Sequence, residues 1–202
     1  IIRRMMEDEY GSFASEMTGP VFYHYMEMGL LLVMDDRERR ATIYDFCELF
    51  RSKDKWKDWV RDKYDDENVE AWVNHQLPYV DITRQSDGGT SIGEYIYSKF
   101  KDFIIDPKLR KIFDQKKSTI DFKDIMDNGK VLLVNLAKGE LSEKSSRFLG
   151  MVLMAKIMSA AMERIKEPKE KRRPFFVYVD EFQNIATSSF TVLLSEARKF
   201  GI

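Results

Sequence analysis

The spacing of apolar residues gives the first half of the chain a helical period. The apolar segment VFYHYMEMGLLLVM, residues 21–34, predicts a helix that begins after the break at Gly19–Pro20. Thr42 stands just before IYDFCELF and is a favourable N-cap residue for a second helix. One further helix face is predicted from residues that recur at steps of four and three: Ile92, Ile96, Phe100 and Phe103.

The second half of the chain has short continuous apolar runs instead. KVLLVNL, residues 130–136, follows the turn signal Asn128–Gly129 and predicts a buried strand, and FFVYV, residues 175–179, predicts another. Between them, residues 141–163 form a long apolar pattern with Ser142 available as N-cap, which predicts a helix.

The order strand, helix, strand predicts a crossover unit and therefore a parallel sheet. A helix capped by Ser188 or Ser189 and a third strand starting at Ile202 would continue the same order. We therefore expect an all-helical domain in residues 1–115 and an α/β domain in residues 116–202.

Composition adds limits to this picture. The 202 residues are 44% hydrophobic and 33% charged with a net charge of −1, which is typical of a globular protein and gives no overall basic footprint for nucleic acid. The one cysteine, Cys47, excludes an intrachain disulfide and is interpreted as a small core residue in a reducing, cytosolic setting. His24 and His75 lack partners at metal-ligand spacing, so no structural zinc or metal cluster is expected. Because the chain starts at Ile1 without methionine, we interpret it as a fragment of a longer protein.

Two carboxylates, Asp180 and Glu181, end the second apolar run. The carboxyl ends of parallel strands share one sheet edge, where ligands bind. Adjacent strand residues point to opposite faces, so one acid could engage a hydrated magnesium ion while the other polarises an attacking water. The alternative is that these acids only begin a loop, as acids after strands often do.

The residues around this pair resemble a known family. VDEFQNIATSSFTVLLSEARKFG, residues 179–201, is similar to the Walker B segment of the coupling ATPases of conjugation and type IV secretion, which are TraG/TraD-like members of the hexameric HerA/FtsK-type pumping ATPases. STIDFKDIMDNGKVLLVNLAKGELSE, residues 118–143, resembles the stretch that precedes it. The segments from residue 18 to 117 resemble, more loosely, the all-helical insertion of that family.

The resemblance implies the carboxyl-terminal half of a RecA-like P-loop NTPase domain, preceded by the all-α insertion. It implies that Asp180 associates with Mg²⁺ through water and that Glu181 activates the water that attacks ATP. Gln183 would orient the loop. Arg198 could reach phosphate in a neighbouring subunit, and Lys138 could contact nucleotide or a neighbouring subunit. For both basic residues a solvated surface position is the alternative.

One part of the family pattern is missing. A phosphate cradle G-x-x-x-x-G-K-S/T does not occur in the chain. Gly88 and Gly93 have the spacing, but Glu94 stands where lysine is required. The family carries its cradle upstream of the helical insertion, so we expect this chain alone to be inactive as an ATPase.

A basic cluster precedes the second run but gives no firm DNA site. Its members alternate with Glu167 and Glu170, which favours a solvated loop over a DNA-phosphate contact. The DNA-binding residues therefore stay unknown. The cluster consists of Lys166, Lys169, Lys171, Arg172 and Arg173.

The resemblance implies a DNA translocase that hydrolyses ATP with Mg²⁺ and feeds DNA or nucleoprotein into a secretion channel. It implies as partners further copies of itself in a hexameric ring, DNA, and relaxosome or secretion-channel proteins, with the domain on the cytoplasmic side of a membrane anchor outside this chain. Two alternatives stay open. One is a motor of the same superfamily that acts on a pilus or secreted protein, and the other is a non-catalytic helical interaction module on a degenerate NTPase scaffold.

Overall fold

The computed structural model describes residues 19–51, 53–76, 91–136, 139–185 and 201–202. The chain divides into two compact units, and the division falls between Lys117 and Ser118. Each unit is treated by itself below.

All regular secondary structure in the described residues of the first unit is helical. Pro20 occupies the first turn of the first helix, where its missing N–H costs nothing. The predicted helices at 21–34, after Thr42, and at Ile92 are confirmed. The elements are α1 Pro20–Asp35, α2 Ile43–Leu49, α3 Lys53–Lys57, α4 Glu67–Ala71, a π-helical turn Trp72–Gln76, α5 Ile92–Ile105 and α6 Pro107–Phe113.

Side-chain caps fix where these helices start. The Thr42 hydroxyl accepts a hydrogen bond from the Tyr44 N–H, and the Asp45 carboxylate accepts one from the Thr42 N–H at 2.7 Å, which forms a capping box. Asp66 and Asp106 cap α4 and α6 through their carboxylates. The predicted N-cap at Thr42 is therefore confirmed.

Aromatic side chains form the core of this unit. Phe46 is fully buried and makes edge-to-face contacts with Phe50 and Phe100, with ring centroids 5.2 and 5.1 Å apart. Trp59 and Trp72 are buried as well.

Cys47 is buried in the same core. Burial raises the pKa of its thiol to about 12, with a smaller contribution from the charge of Glu48. The side chain therefore stays a protonated, poorly nucleophilic thiol at neutral pH, as expected for a core residue.

The second unit is built on one long helix. Helix α7 spans Phe122–Asp127, and α8 spans Glu143–Glu163. Ser142 caps α8 by accepting a hydrogen bond from the Ser145 N–H at 3.0 Å, so the predicted helix and its cap are confirmed. Short 3₁₀ turns follow at Arg164–Lys166, Lys169–Lys171 and Phe182–Asn184.

Gly129 ends α7 in a left-handed conformation with φ 62°. The Lys130 N–H donates to the Ile125 carbonyl at 2.9 Å and the Gly129 N–H to the Met126 carbonyl at 3.4 Å. This is the Schellman pattern, which favours glycine at that position because a Cβ is strained there. The turn signal Asn128–Gly129 thus serves as a helix stop.

The predicted parallel sheet is wrong for the described residues. Residues 131–136 and 172–179 lie outside any helix or turn, but the described part of the chain contains no strand and is helical instead of α/β. One backbone bond joins the second run to Gly201, a turn residue with φ 79°, from the Phe175 N–H to the Gly201 carbonyl at 2.9 Å.

The physical reason is that an apolar run specifies an extended backbone but not its pairing. A sheet forms only where a neighbouring segment supplies matching N–H and C=O groups over several residues. Ile202 is also not part of a strand. The helix predicted from Ser188 or Ser189 to Phe200 lies outside the described residues.

None of the described helices is both long enough and apolar enough to cross a membrane.

Candidate functional site

Side chains alternate along the extended segment that leads to the two acids. Phe175, Val177 and Val179 are partly buried, while Phe176 and Tyr178 are 74% and 91% exposed. Side chains that are alternately covered and exposed indicate an extended chain that packs one face on a core. The core is a cluster on α7, α8 and the chain after the acids, consisting of Met126, Met154, Ile157, Ala160, Ala161 and Ile185.

Asp180 and Glu181 follow directly, and both are exposed. Glu181 has φ 51° and ψ 42°, the left-handed conformation that L residues other than glycine rarely adopt. Its N–H donates to Asp180 Oδ1 at 2.9 Å. This backbone costs roughly 1–2 kcal/mol relative to a right-handed one, so packing of the flanking residues must impose it.

The residues after Glu181 supply that packing. Phe182 and Ile185 contact the core cluster, and Ile185 is buried. Gln183 lies between them on the exposed side, where its Nε2 donates a hydrogen bond to Glu181 Oε2. The structure therefore brings Asp180, Glu181 and Gln183 into one turn.

Leu136, at the end of the first apolar run, and Ile185, five residues after Asp180, approach the same point on α8. A Cβ at Gly150 would overlap Ile185 Cγ2 and would lie 3.2 Å from Leu136 Cδ1. Glycine at this position lets both side chains pack against the helix. Two other residues implied by the resemblance, Lys138 and Arg198, lie outside the described residues, so their distances to the acids are not defined.

The donor set at this turn fits a magnesium ion that is bound mainly through water. Mg²⁺ is usually held by one or two carboxylates together with waters and substrate phosphates. Asp180 and Glu181 provide two exposed carboxylates and each keeps acceptor capacity beyond the bonds described above. Within the described part of the chain no group of three or more metal-binding side chains occurs, so these residues alone do not form a complete cage.

The basic cluster turns out to contain side chains that stabilise the fold. Arg172 donates to the carbonyls of Glu167 and Ile165, and the guanidinium of Arg173 lies over Gly129. Lys166, Lys169 and Lys171 are exposed. Two arginines of the cluster therefore hold the start of the extended segment in place.

Arg164, which no sequence pattern indicated, is the largest fully buried side chain among the described residues of this unit. It is fully buried, donates to the Arg173 carbonyl, and its Nε lies 3.2 Å from Asp127 Oδ1. Asp127 also pairs with Lys123, which reaches Glu167 at 2.9 Å, and the hydrogen bonds to Asp127 and Glu167 raise the pKa of Lys123 above its ordinary value. Nothing in the pattern MERIKEP distinguishes this arginine from the exposed basic residues around it.

No protein-family model matches the chain, and no curated protein or solved structure shows significant similarity to it.

Proposed function

We propose that this chain is part of an ATP-hydrolysing DNA translocase that couples DNA or nucleoprotein to a conjugation or type IV secretion channel. The observation that carries the proposal is the exposed pair Asp180–Glu181, held in a strained turn at the end of an apolar extended segment. The resemblance of residues 179–201 to the acidic motif of that family is the basis for the reaction assigned to the pair. The proposal depends on these residues and not on a sheet.

Asp180 and Glu181 have different parts in this reaction. Asp180 would hold the hydrated Mg²⁺ that accompanies ATP, and Glu181 would accept a proton from the water that attacks the γ-phosphorus while ADP leaves. Gln183 keeps the Glu181 carboxylate in place through the hydrogen bond described above. When bound, Mg²⁺ would neutralise the charge of the phosphates.

The proposed partners follow from the same reading. Copies of the protein form a hexameric ring, DNA is the moved substrate, and relaxosome or channel proteins deliver and receive it. The domain lies on the cytoplasmic side in this proposal.

Hydrolysis by the full-length protein tests the proposal. Asp180→Asn and Glu181→Gln should each lower kcat by about 10²–10⁴-fold, which is the typical contribution of a positioned acid or base. Asp62→Asn changes an exposed carboxylate in the helical unit and should leave kcat within twofold. Equal turnover of all variants would contradict the assigned roles.

Stimulation by DNA identifies the substrate. We expect DNA to raise the turnover rate of the full-length protein, whereas stimulation by a protein substrate would identify a motor for a pilus or secreted protein. The chain of 202 residues by itself should show no magnesium-dependent turnover, because it has no phosphate cradle. Turnover by this chain that Asp180→Asn abolishes would refute that expectation.

A second candidate is a non-catalytic interaction module. It is favoured by the helical character of the first unit, whose capped helices and aromatic core form a compact unit. A full-length protein that lacks ATP turnover but retains a specific protein partner through residues 19–117 would support this candidate.

A further inference from the structure

Gly150 is a buried residue in the interior of helix α8, at a position where the helical backbone alone favours alanine. Its neighbours explain the glycine. A Cβ at Gly150 would lie 2.4 Å from Ile185 Cγ2, which is closer than carbon atoms approach each other, and 3.2 Å from Leu136 Cδ1. The Leu136 methyl ends a flexible side chain and can move aside, so Ile185 is the neighbour that excludes a side chain at this position.

Ile185 has little freedom to give way. It is a buried member of the core cluster, where it packs with residues of α7 and α8. Its β-branched side chain is restricted in χ1, so its Cγ2 atom follows the backbone. The Ile185 N–H donates a hydrogen bond to the Phe182 carbonyl at 3.0 Å and so closes the 3₁₀ turn. An overlap at Gly150 would therefore move the backbone of this turn.

The turn that would move carries the two acids, and we call residues 180–185 the acidic turn. Val179 packs on the core cluster just before it, and Phe182 and Ile185 pack on the same cluster at its far end. The two acids span the gap between these fixed points, and the left-handed backbone of Glu181, with φ 51°, is the conformation that spans it. A shift of Ile185 consequently changes the positions of both carboxylates.

The size of the shift can be derived from the contact distance. Carbon atoms in van der Waals contact lie about 3.5–4.0 Å apart, so relief of the 2.4 Å approach requires a displacement of about 1 Å. The close packing of the core cluster transmits such a displacement instead of absorbing it. A misplacement of reacting groups by about 1 Å is enough to lower a rate by about 10²-fold.

We propose that Gly150 is a positioning residue for the acidic turn. Its lack of a side chain lets Ile185 pack against α8 at the depth that places the carboxylates of Asp180 and Glu181. The link between Gly150 and the turn is mechanical and requires no nucleotide. The catalytic consequence rests on the proposed ATPase function, so the link and its consequence are tested separately.

Amide hydrogen exchange of the purified chain, measured by NMR without nucleotide, tests the link. Gly150→Ala should make the Ile185 amide exchange roughly tenfold faster, because its hydrogen bond to the Phe182 carbonyl is displaced. Gly139→Ala is the matched control and should leave this exchange unchanged, since a Cβ at Gly139 meets no atom within 4 Å. Ile185→Leu removes the Cγ2 atom at nearly constant volume, so adding Gly150→Ala to it should leave exchange at position 185 within about threefold.

ATP turnover by the full-length protein tests the consequence. Gly150→Ala should lower kcat by about 10²-fold and leave KM for ATP within about threefold, because it moves the acids and removes no group that binds nucleotide. Gly139→Ala should leave both constants within about twofold. The double variant Gly150→Ala with Ile185→Leu should have a kcat within about threefold of Ile185→Leu alone, and circular dichroism should show that each compared variant is folded.

The outcomes separate the link from the proposed function. Unchanged exchange at position 185 in Gly150→Ala would overturn the link, whatever the activity. Faster exchange together with an unchanged kcat would overturn the positioning of the acids. A wild-type full-length protein without turnover would contradict the ATPase function, and the exchange comparison would still decide the link. If Gly150→Ala does not fold, Ile185→Leu and the double variant are compared instead, and a difference above about tenfold in exchange or kcat would overturn the proposal.

Discussion

The two units of this chain use apolar residues in opposite ways. In the helical unit, Phe46, Phe100 and Trp72 come from amphipathic patterns and are all buried. In the second unit, the two most continuous apolar runs leave Leu133 and Tyr178 almost fully exposed. The runs are no less apolar than the helices, so composition does not explain the difference.

The difference lies in which segment can bury its apolar residues within the described structure. A helix satisfies its own backbone and needs only one covered stripe, which neighbouring helices in the first unit provide. An extended segment has two faces and a backbone that needs hydrogen-bond partners outside the segment, and in the second apolar run only Phe175, Val177 and Val179 pack on the core. An apolar run therefore indicates side chains that need to be covered, but it does not indicate which segment covers them.

The largest effect should come from two phenylalanines that represent the two regions. Phe46→Ala removes a fully buried ring and should lower the free energy of unfolding of the helical unit by about 3–5 kcal/mol. Phe176→Ala removes an exposed ring and should change the free energy of unfolding of a monomer by less than about 0.5 kcal/mol. Urea unfolding monitored by circular dichroism at low protein concentration measures both, and equal losses would show that Phe176 is covered within one chain.

Arg164→Ala should have the largest effect among the charged residues of the second unit. It removes a fully buried side chain that contacts Asp127 and the Arg173 carbonyl, and we expect a loss of about 3 kcal/mol in the free energy of unfolding. The control is Arg51→Ala, which removes an exposed ion pair with Glu48 and should cost less than about 0.5 kcal/mol. If the two substitutions lower the free energy of unfolding equally, the contacts of Arg164 with Asp127 and the Arg173 carbonyl do not stabilise the fold as expected.

Asp35 gives a matching test in the helical unit. Its buried carboxylate accepts hydrogen bonds from Arg61 at 2.6 Å and from the Asp66 N–H at 2.9 Å, and so ties α1 to the loop before α4. Asp35→Ala leaves these donors without their acceptor and should cost about 2 kcal/mol, whereas Asp62→Ala at an exposed acid should be nearly neutral. Thermal unfolding of the two variants measures the difference, and a neutral Asp35→Ala would contradict the proposed tie.

The smallest effect concerns the backbone at Glu181. Glycine has no Cβ to strain in the left-handed conformation, so Glu181→Gly should be more stable than Glu181→Ala by about 1 kcal/mol. At Glu170, an exposed residue of a 3₁₀ turn without positive φ, the order should reverse. The free energies of unfolding of the four variants check this prediction. If glycine and alanine have the same order of stability at both positions, the backbone strain at Glu181 is absent in solution.

Much of the local structure could be predicted because it depends on neighbouring residues alone. Thr42 and Ser142 were identified as caps since a cap needs only a hydroxyl placed just before a helical pattern. The burial of Cys47 followed from its apolar surroundings in sequence. The adjacency of Asp180, Glu181 and Gln183 is also local, although the left-handed backbone of Glu181 gave no signal in the sequence.

The rest depended on contacts between distant segments. Arg164 could be recognised as buried only when Asp127, Arg173 and Gly201 were placed around it. The parallel sheet was predicted wrongly because strand pairing requires a second backbone at the right distance, which no apolar pattern encodes.

The sequence by itself determined where helices start and stop, which residues extend, and which acids end the second apolar run, because caps, turns and periodicity act over a few residues. Only the tertiary structure decided that the second apolar run packs Phe175, Val177 and Val179 on the core and exposes Phe176 and Tyr178, and that Arg164 lies inside. Burial is a property of the neighbours that a segment meets, and those neighbours are fixed by the folded chain as a whole.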